Sequence, residues 1–354
     1  MSESGPLSGH RLSRPTRAAL TVGRGALAAA VSRLTPGFTL VSQPAALAAL
    51  PDDVLSASGS LVHARSLDRQ ELQRLLDEVP DTVPVLGFGG GVVMDSAKWL
   101  AGTLGVPLVL APGVVSVDAC VTNTVAVRDK GRIGYEGFVV ADAVVVDTDL
   151  VRAAPPGLNR AGVGDLLSVH TALWDWREAA SVGLARGAAY DPSVARAASG
   201  VLASVAARGA DIAAVSDVGI TTLVEGFADI NDLTVSCGHP QMEEGSEHYL
   251  AYCLETQTGR SFVHGQVVTL GVVLLSRLQG NDPQFARTVA DTTGVAWHPA
   301  DLDLDRDTLR RALRALPDFV EDAAFPGSVV DLRADELRAD QGLVDTLLEG
   351  LEVR

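Results

Sequence analysis

Three segments in the second half of the chain put ionisable side chains at the starts of apolar helical patterns. They are Gly162-Val163-Gly164-Asp165-Leu166-Leu167-Ser168, Glu243-Glu244-Gly245-Ser246-Glu247-His248-Tyr249 and Phe262-Val263-His264-Gly265-Gln266. Each has an ordinary structural use when taken singly. Asp165 and Ser246 read as helix N-caps, and a lone histidine reads as a surface or core group. Together they read differently. The chain has seven histidines, and His248 and His264 stand sixteen positions apart, each at the start of an expected helix. One aspartate and two histidines suit Zn²⁺ or Fe²⁺, with a coordination position left for water or substrate.

A second stretch with chemical content is Val83–Leu100, VPVLGFGGGVVMDSAKWL. An apolar run ends in Gly89, Gly90 and Gly91, and apolar residues at helical spacing follow. Strand, glycine turn and helix in that order let the backbone approach a bound group. The free N–H groups and positive dipole end of the helix suit a diphosphate. The pattern is neither Gly-x-Gly-x-x-Gly nor a P-loop, so it also reads as plain helix-on-sheet packing.

Composition narrows the partners. The chain has 354 residues, 47% of them hydrophobic, and a net charge of −16. That balance argues against nucleic acid, whose phosphates need clustered Lys and Arg, and against an anionic membrane surface. There are two lysines, Lys98 and Lys130. The three cysteines, Cys120, Cys237 and Cys253, form no Cys-x-x-Cys pair, so a reducing cytoplasm is expected. The N-terminus has no apolar h-region, and its first dozen residues are expected to be a flexible lead-in. No apolar run reaches membrane-spanning length.

The elements that would position these residues follow from periodicity. A helix is expected over 24–34, then a first strand at Phe38–Val41, a short helix at Ala45–Leu50, and a strand at Leu61–His63. Leu67–Val79 is an amphipathic helix with Leu72, Leu75, Leu76 and Val79 on one face. After the glycine unit come strands at Val106–Ala111 and Ala143–Val146. A hairpin is expected between Val121–Arg128 and Tyr135–Val140, joined by Asp129-Lys130-Gly131-Arg132. Alternating strands and helices imply a parallel sheet covered on both faces, with ligands beyond the carboxyl ends of its strands. Beyond Pro155 the pattern is helical: 163–185, 193–208, 216–231, 245–258, 264–279, 283–293, 306–315 and about 334–349. Two domains are expected, residues 1–150 as an α/β domain with a Rossmann-like parallel sheet and 151–354 as an all-α helical domain.

The order GGG-x-x-x-D-x-A-K, S-x-D, D-T-D-L, G-V-G-D-L-L-S, G-S-E-H and H-G resembles the glycerol-1-phosphate dehydrogenase branch of the superfamily holding iron-containing alcohol dehydrogenases and dehydroquinate synthase. The match runs from about Val22 to Gln279. The resemblance implies a dehydroquinate synthase-like fold, NAD or NADP as cofactor, and Zn²⁺ or Fe²⁺ held by Asp165, His248 and His264. It places Gly89, Gly90, Gly91 and Asp95 at the dinucleotide. It brings Gly113, Ser116 and Thr122 to the same cofactor and Asp118 to the substrate, although Ser, Thr and Asp in a loop are commonly turn formers. A homo-oligomer is also implied.

This chain departs from the family pattern mainly at substrate-facing positions. Gly113 replaces a threonine, Ala119 a glycine, Val169 a lysine, Tyr252 a histidine and Gln266 a glutamate. The expected activity is therefore an NAD(P)- and metal-dependent alcohol dehydrogenase or ketone reductase acting on a small carbonyl or alcohol, with a substrate that can differ from the family's phosphorylated triose. Asp118 would bind a substrate hydroxyl, and Tyr252 or a water would relay the proton. Arg128, Lys130 and Arg132 are candidate phosphate contacts or simply an exposed turn. Two other readings are a dehydroquinate synthase-like sugar phosphate cyclase, which needs more lysines than the chain has, and a catalytically inactive binding homologue.

Overall fold

A computed structural model describes residues 17–34, 37–129, 132–185 and 188–351. The expected lead-in and Lys130 lie outside the described residues, as does the side chain of Arg132. The chain forms two compact units. One takes the chain up to Asn159 together with Val215–Asp232, and the other takes Arg160–Ala214 together with Leu233–Arg354.

The strands of the first unit are β1 (Ala19–Gly23), β2 (Thr39–Ser42), β3 (Ser60–His63), β4 (Val85–Gly89), β5 (Leu108–Pro112), β6 (Val125–Asp129), β7 (Arg132–Glu136) and β8 (Ala143–Asp147). Six of them form a parallel sheet in the order β1-β8-β5-β4-β2-β3. β4 and β5 are buried at every position, as strands covered on both faces must be. On one face Leu40, Leu86, Phe88, Val109, Ala111 and Val145 pack with Leu27, Val31, Phe38, Leu50 and Val54. The helix Gly91–Leu104 is buried from Val93 to Ala101 and carries the chain from β4 to β5. The chain moves outward from β2 to β3, then returns to place β4 on the other side of β2 and continues to β5. The reversal falls between β2 and β4, and the glycine turn follows the carboxyl end of β4. Such a switch point is where doubly wound sheets take their ligands.

Two expectations in this unit need correction. The first strand is Ala19–Gly23 rather than Phe38–Val41. It pairs with β8 over its whole length, and that tertiary pairing orders an edge segment whose Leu20-Thr21-Val22 run is too short to mark a strand by itself. The hairpin is also shorter than expected and differently registered, pairing Val125–Asp129 with Arg132–Glu136. The carbonyls of Thr122 and Thr124 accept instead from the buried Lys98 ammonium, at 3.1 and 2.6 Å. That side chain therefore takes the chain ahead of Val125 out of the ladder.

The second unit is helical. Its centre is His264–Gln279, buried around nearly its whole circumference from Val267 to Gln279, as an apolar helix with no polar face should be. The expected helix 163–185 is two helices, Val163–Leu167 and Val169–Ser181, joined at Ser168, whose hydroxyl donates to the Asp165 carbonyl at 2.6 Å. The helix expected over 306–315 continues to Ala323. The helix expected over 334–349 breaks at Asp340, which caps Gln341–Leu347 by accepting from the Leu343 amide. No helix among the described residues is long and apolar enough to cross a membrane.

Candidate metal centre and cofactor turn

The second unit brings Asp165, His248 and His264 together, with one donor atom from each lying within 4.8 Å of the others. Backbone packing makes this possible. A methyl built on Gly164 would stand 2.1 Å from the Gly265 carbonyl oxygen, and one on Gly265 would stand 1.8 Å from the Ala161 carbonyl oxygen. Only glycine lets the helix Val163–Leu167 lie backbone to backbone against the start of His264–Gln279. That approach puts Asp165 Oδ1 3.5 Å from His264 Nε2. Metal–donor bonds of about 2.0–2.2 Å place the donors of a tetrahedral site roughly 3.3–3.5 Å apart, so this pair already has the right spacing. His248 enters from the first turn of Ser246–Thr258. Asp165 and His248 are buried, while the His264 side chain stays 30% exposed, which leaves the trio accessible on that side.

The surrounding charges fit a cation. Glu247 is completely buried. Its Oε1 accepts from His248 Nδ1 at 2.9 Å and from the Gly245 amide at 2.7 Å, and its Oε2 accepts from the Thr171 hydroxyl at 2.6 Å. A carboxylate on Nδ1 leaves Nε2 of the same ring with its lone pair for a metal. Burial opposes charging of His248, yet the Glu247 hydrogen bond and the charges of Glu247, Glu244 and Asp165 raise it to about 9. Burial and Glu247 push Glu244 up as well. The groups acting most strongly on His248, Glu244 and Asp175 include no lysine or arginine. A buried carboxylate cluster that raises its own pKa values in this way is short of positive charge.

Two predictions arise here. Glu247→Gln keeps the shape but loses the charge and one acceptor oxygen. Zinc affinity, read by competition with a chromogenic chelator, is expected to fall about 10–100-fold with the fold retained; unchanged affinity would deny Glu247 this role. Asp175 lies deeper. It accepts from the Ser246 and Val329 amides and from Gln279 Nε2 at 2.8, 2.7 and 3.0 Å, thereby fixing the start of the His248 helix. Burial, then the charge of Glu247, pushes its carboxyl up to about 7. Because the folded value exceeds the unfolded one, the stability contribution is fully present below about pH 4 and is lost as pH rises towards the folded value. In metal-stripped protein the unfolding midpoint of wild type, minus that of Asp175→Asn, should fall across that window. A difference that ignores pH would contradict the assignment.

Tyr252 sits one turn beyond His248, its ring 6.1 Å from His248 and 6.4 Å from His264. Val169, one turn beyond Asp165, is buried.

In the first unit, Gly89–Gly91 join β4 to the N-terminus of Gly91–Leu104, with Gly90 as N-cap and no side chain capping the helix. The Gly113 amide donates to the Gly89 carbonyl at 2.9 Å. A methyl on Gly91 would stand 2.9 Å from Val117 Cγ1, and one on Gly113 would stand 3.2 Å from Phe88 Cζ. The segment after β5 thus folds against the glycine turn, most tightly at Gly91, where a side chain would displace Val117. Ser116 is half-buried on this segment, and Asp118 opens the turn Asp118–Cys120. Asp95 is buried beneath the segment, 2.8 Å from Lys98 Nζ. Burial pushes its carboxyl up against the pull of Lys98. Lys98 Nζ also donates to Thr122 Oγ1 at 3.3 Å. The Arg128 amide donates to the Leu67 carbonyl at 2.8 Å.

The sequence reading left out Glu247, Asp175, Thr171 and Lys98 as working residues. Glu247 has a visible signal, adjacency to His248. Asp175 has none, because its partners at 246, 279 and 329 are distant along the chain.

Comparison with known proteins bears on the family and the fold. The iron-containing alcohol dehydrogenase family model matches residues 45–155. The glycerol-1-phosphate dehydrogenase [NAD(P)+] of Hyperthermus butylicus is 28% identical over 256 residues, 72% of this chain and 72% of that protein. An iron-containing alcohol dehydrogenase from Corynebacterium glutamicum superposes with a TM-score of 0.69 at 16% identity, covering 98% of this chain and 99% of that one. A probable glycerol dehydrogenase from Sinorhizobium meliloti superposes at 0.66 and 20% identity, covering 94% and 96%. The two structural likenesses speak for the fold.

Proposed function

We propose, since this chain belongs to the iron-containing alcohol dehydrogenase superfamily in its glycerol-1-phosphate dehydrogenase-like branch, that it is an NAD(P)-dependent, divalent-metal-dependent oxidoreductase interconverting a small alcohol and its carbonyl compound. The observation that carries this reading is the convergence of one carboxylate and two imidazoles on one point, within a buried cluster short of positive charge. Asp165, His248 through Nε2 and His264 through Nε2 would hold Zn²⁺ or Fe²⁺, both of which accept these donors. When bound, the cation supplies Lewis acidity at the substrate oxygen and the nicotinamide supplies or takes the hydride.

The remaining roles belong to the chain's own groups. Gly89, Gly90 and Gly91 open the backbone so that the N–H groups of Gly91–Leu104 can hold the dinucleotide's phosphates. Gly113, Ser116 and Thr122 line the same cradle. Asp95 contributes through Lys98, which holds the Thr122–Thr124 segment in place. Asp118 binds a substrate hydroxyl, and Tyr252 is the proton relay on the metal side. On this reading residues 1–150 are the dinucleotide-binding domain and 151–354 the metal- and substrate-binding domain. The working protein is a cytoplasmic homo-oligomer.

The test is metal analysis followed by a screen for NADH and NADPH oxidation with small ketones and aldehydes, with and without a phosphate group. Stoichiometric zinc or iron and carbonyl-dependent oxidation are expected. A metal-loaded protein that oxidises neither cofactor with any carbonyl would refute the proposal.

A further inference from the structure

We propose that the metal site of the helical unit selects an uncharged carbonyl compound, whose flat apolar part lies against a row of rings formed by Tyr252, Phe325 and Phe319. This names the substrate class for the metal site above and rests on that reading. The row begins at the accessible ligand. The His264 and Tyr252 rings lie 6.4 Å apart at 24°, Tyr252 and Phe325 6.1 Å apart, and Phe325 and Phe319 6.0 Å apart. Tyr249, buried behind, stacks on Phe325 at 4.5 Å and 8° and fixes its plane. Tyr252, Phe325 and Phe319 all remain half-buried in the folded chain, so a row of mutually tilted rings, 40° between Tyr252 and Phe325 and 55° between Phe325 and Phe319, leads away from the metal ligands with part of each residue accessible. Faces of this kind take flat apolar groups at ring-contact distance.

Charge argues in the same direction. Asp165, Glu247 and Glu244 lie about the metal position, and Asp175 lies behind them at the Ser246 amide. Tyr252, one turn beyond His248, brings no charge to this side of the cluster. The carboxylates of Asp165, Glu247 and Glu244 beside a divalent cation offset its charge and repel an anionic group placed next to them. A neutral carbonyl meets no such repulsion.

The test sets benzaldehyde and glycerone against glycerone phosphate in NADH oxidation by the metal-loaded protein. Benzaldehyde should exceed glycerone phosphate in kcat/KM by at least tenfold, with glycerone between them. Calorimetry reads the same preference without turnover. Benzyl alcohol should bind the zinc-loaded protein more tightly than glycerol 1-phosphate. Tyr252→Ala should weaken benzyl alcohol binding tenfold or more and Tyr252→Phe should preserve it, at equal metal content. Preference for the phosphorylated member in either assay overturns this inference and leaves the dehydrogenase reading standing. No turnover with any carbonyl overturns the dehydrogenase reading, and the calorimetric order then decides the inference by itself.

Discussion

A His264→Ala protein should lose its metal and nearly all turnover while staying folded. His264 contributes one of three donor atoms, and its Nε2 is the group set 3.5 Å from Asp165 Oδ1. Without it the two remaining donors leave a buried carboxylate cluster with no cation to balance it. Turnover should fall by roughly 10²–10³-fold, the scale of losing a placed electrostatic stabiliser. Asp165→Asn should behave similarly, because it keeps the shape but removes a negative charge from the ligand set. The fold should survive His264→Ala because that side chain is 30% exposed at the first residue of its helix, where little packing is lost. The decisive measurements are metal content and steady-state rate beside a thermal unfolding curve. Full activity in a metal-stripped His264 variant would end the case.

The second large effect concerns stability and is expected at Lys98. Its ammonium is fully buried, 2.8 Å from Asp95 Oδ1, and it also donates to the carbonyls of Thr122 and Thr124. Lys98→Met leaves the Asp95 carboxylate without its cation and two carbonyls without their donor. Breaking a buried pair on one side costs about 3–5 kcal/mol, measurable as a shift in the denaturant midpoint. NADH binding should weaken too, since the Thr122–Thr124 segment loses its anchor. The double variant Lys98→Met with Asp95→Leu should recover part of the stability, because no charge is then left unbalanced. Equal losses in the single and double variants would show that the pair is not the source of the effect.

Much of the architecture was legible before any coordinates. Short continuous apolar runs broken by turns marked β2 to β5 and β8, and period-3.6 runs marked most of the helical half, because both signals are local and read from neighbouring residues. Asp165, His248 and His264 could be nominated for the same kind of reason, each standing at the start of a recognisable helix in a recognisable order. The order of residues also placed the glycine triplet after a buried strand.

The rest needed the folded chain. β1 is ordered by pairing with β8, more than a hundred residues away, so its own composition gave no adequate signal. The hairpin's register depends on Lys98 binding carbonyls that a local pattern assigns to a strand. The Gly164 and Gly265 contact, the Thr171 hydroxyl on Glu247 and the Asp175 knot of amides all join residues far apart in sequence. Local propensity sees neighbours within a few residues, whereas desolvation and close backbone approach depend on what arrives from elsewhere. The type of chemistry was therefore written along the chain, and the packing of distant segments decided the charge balance and spacing at the site.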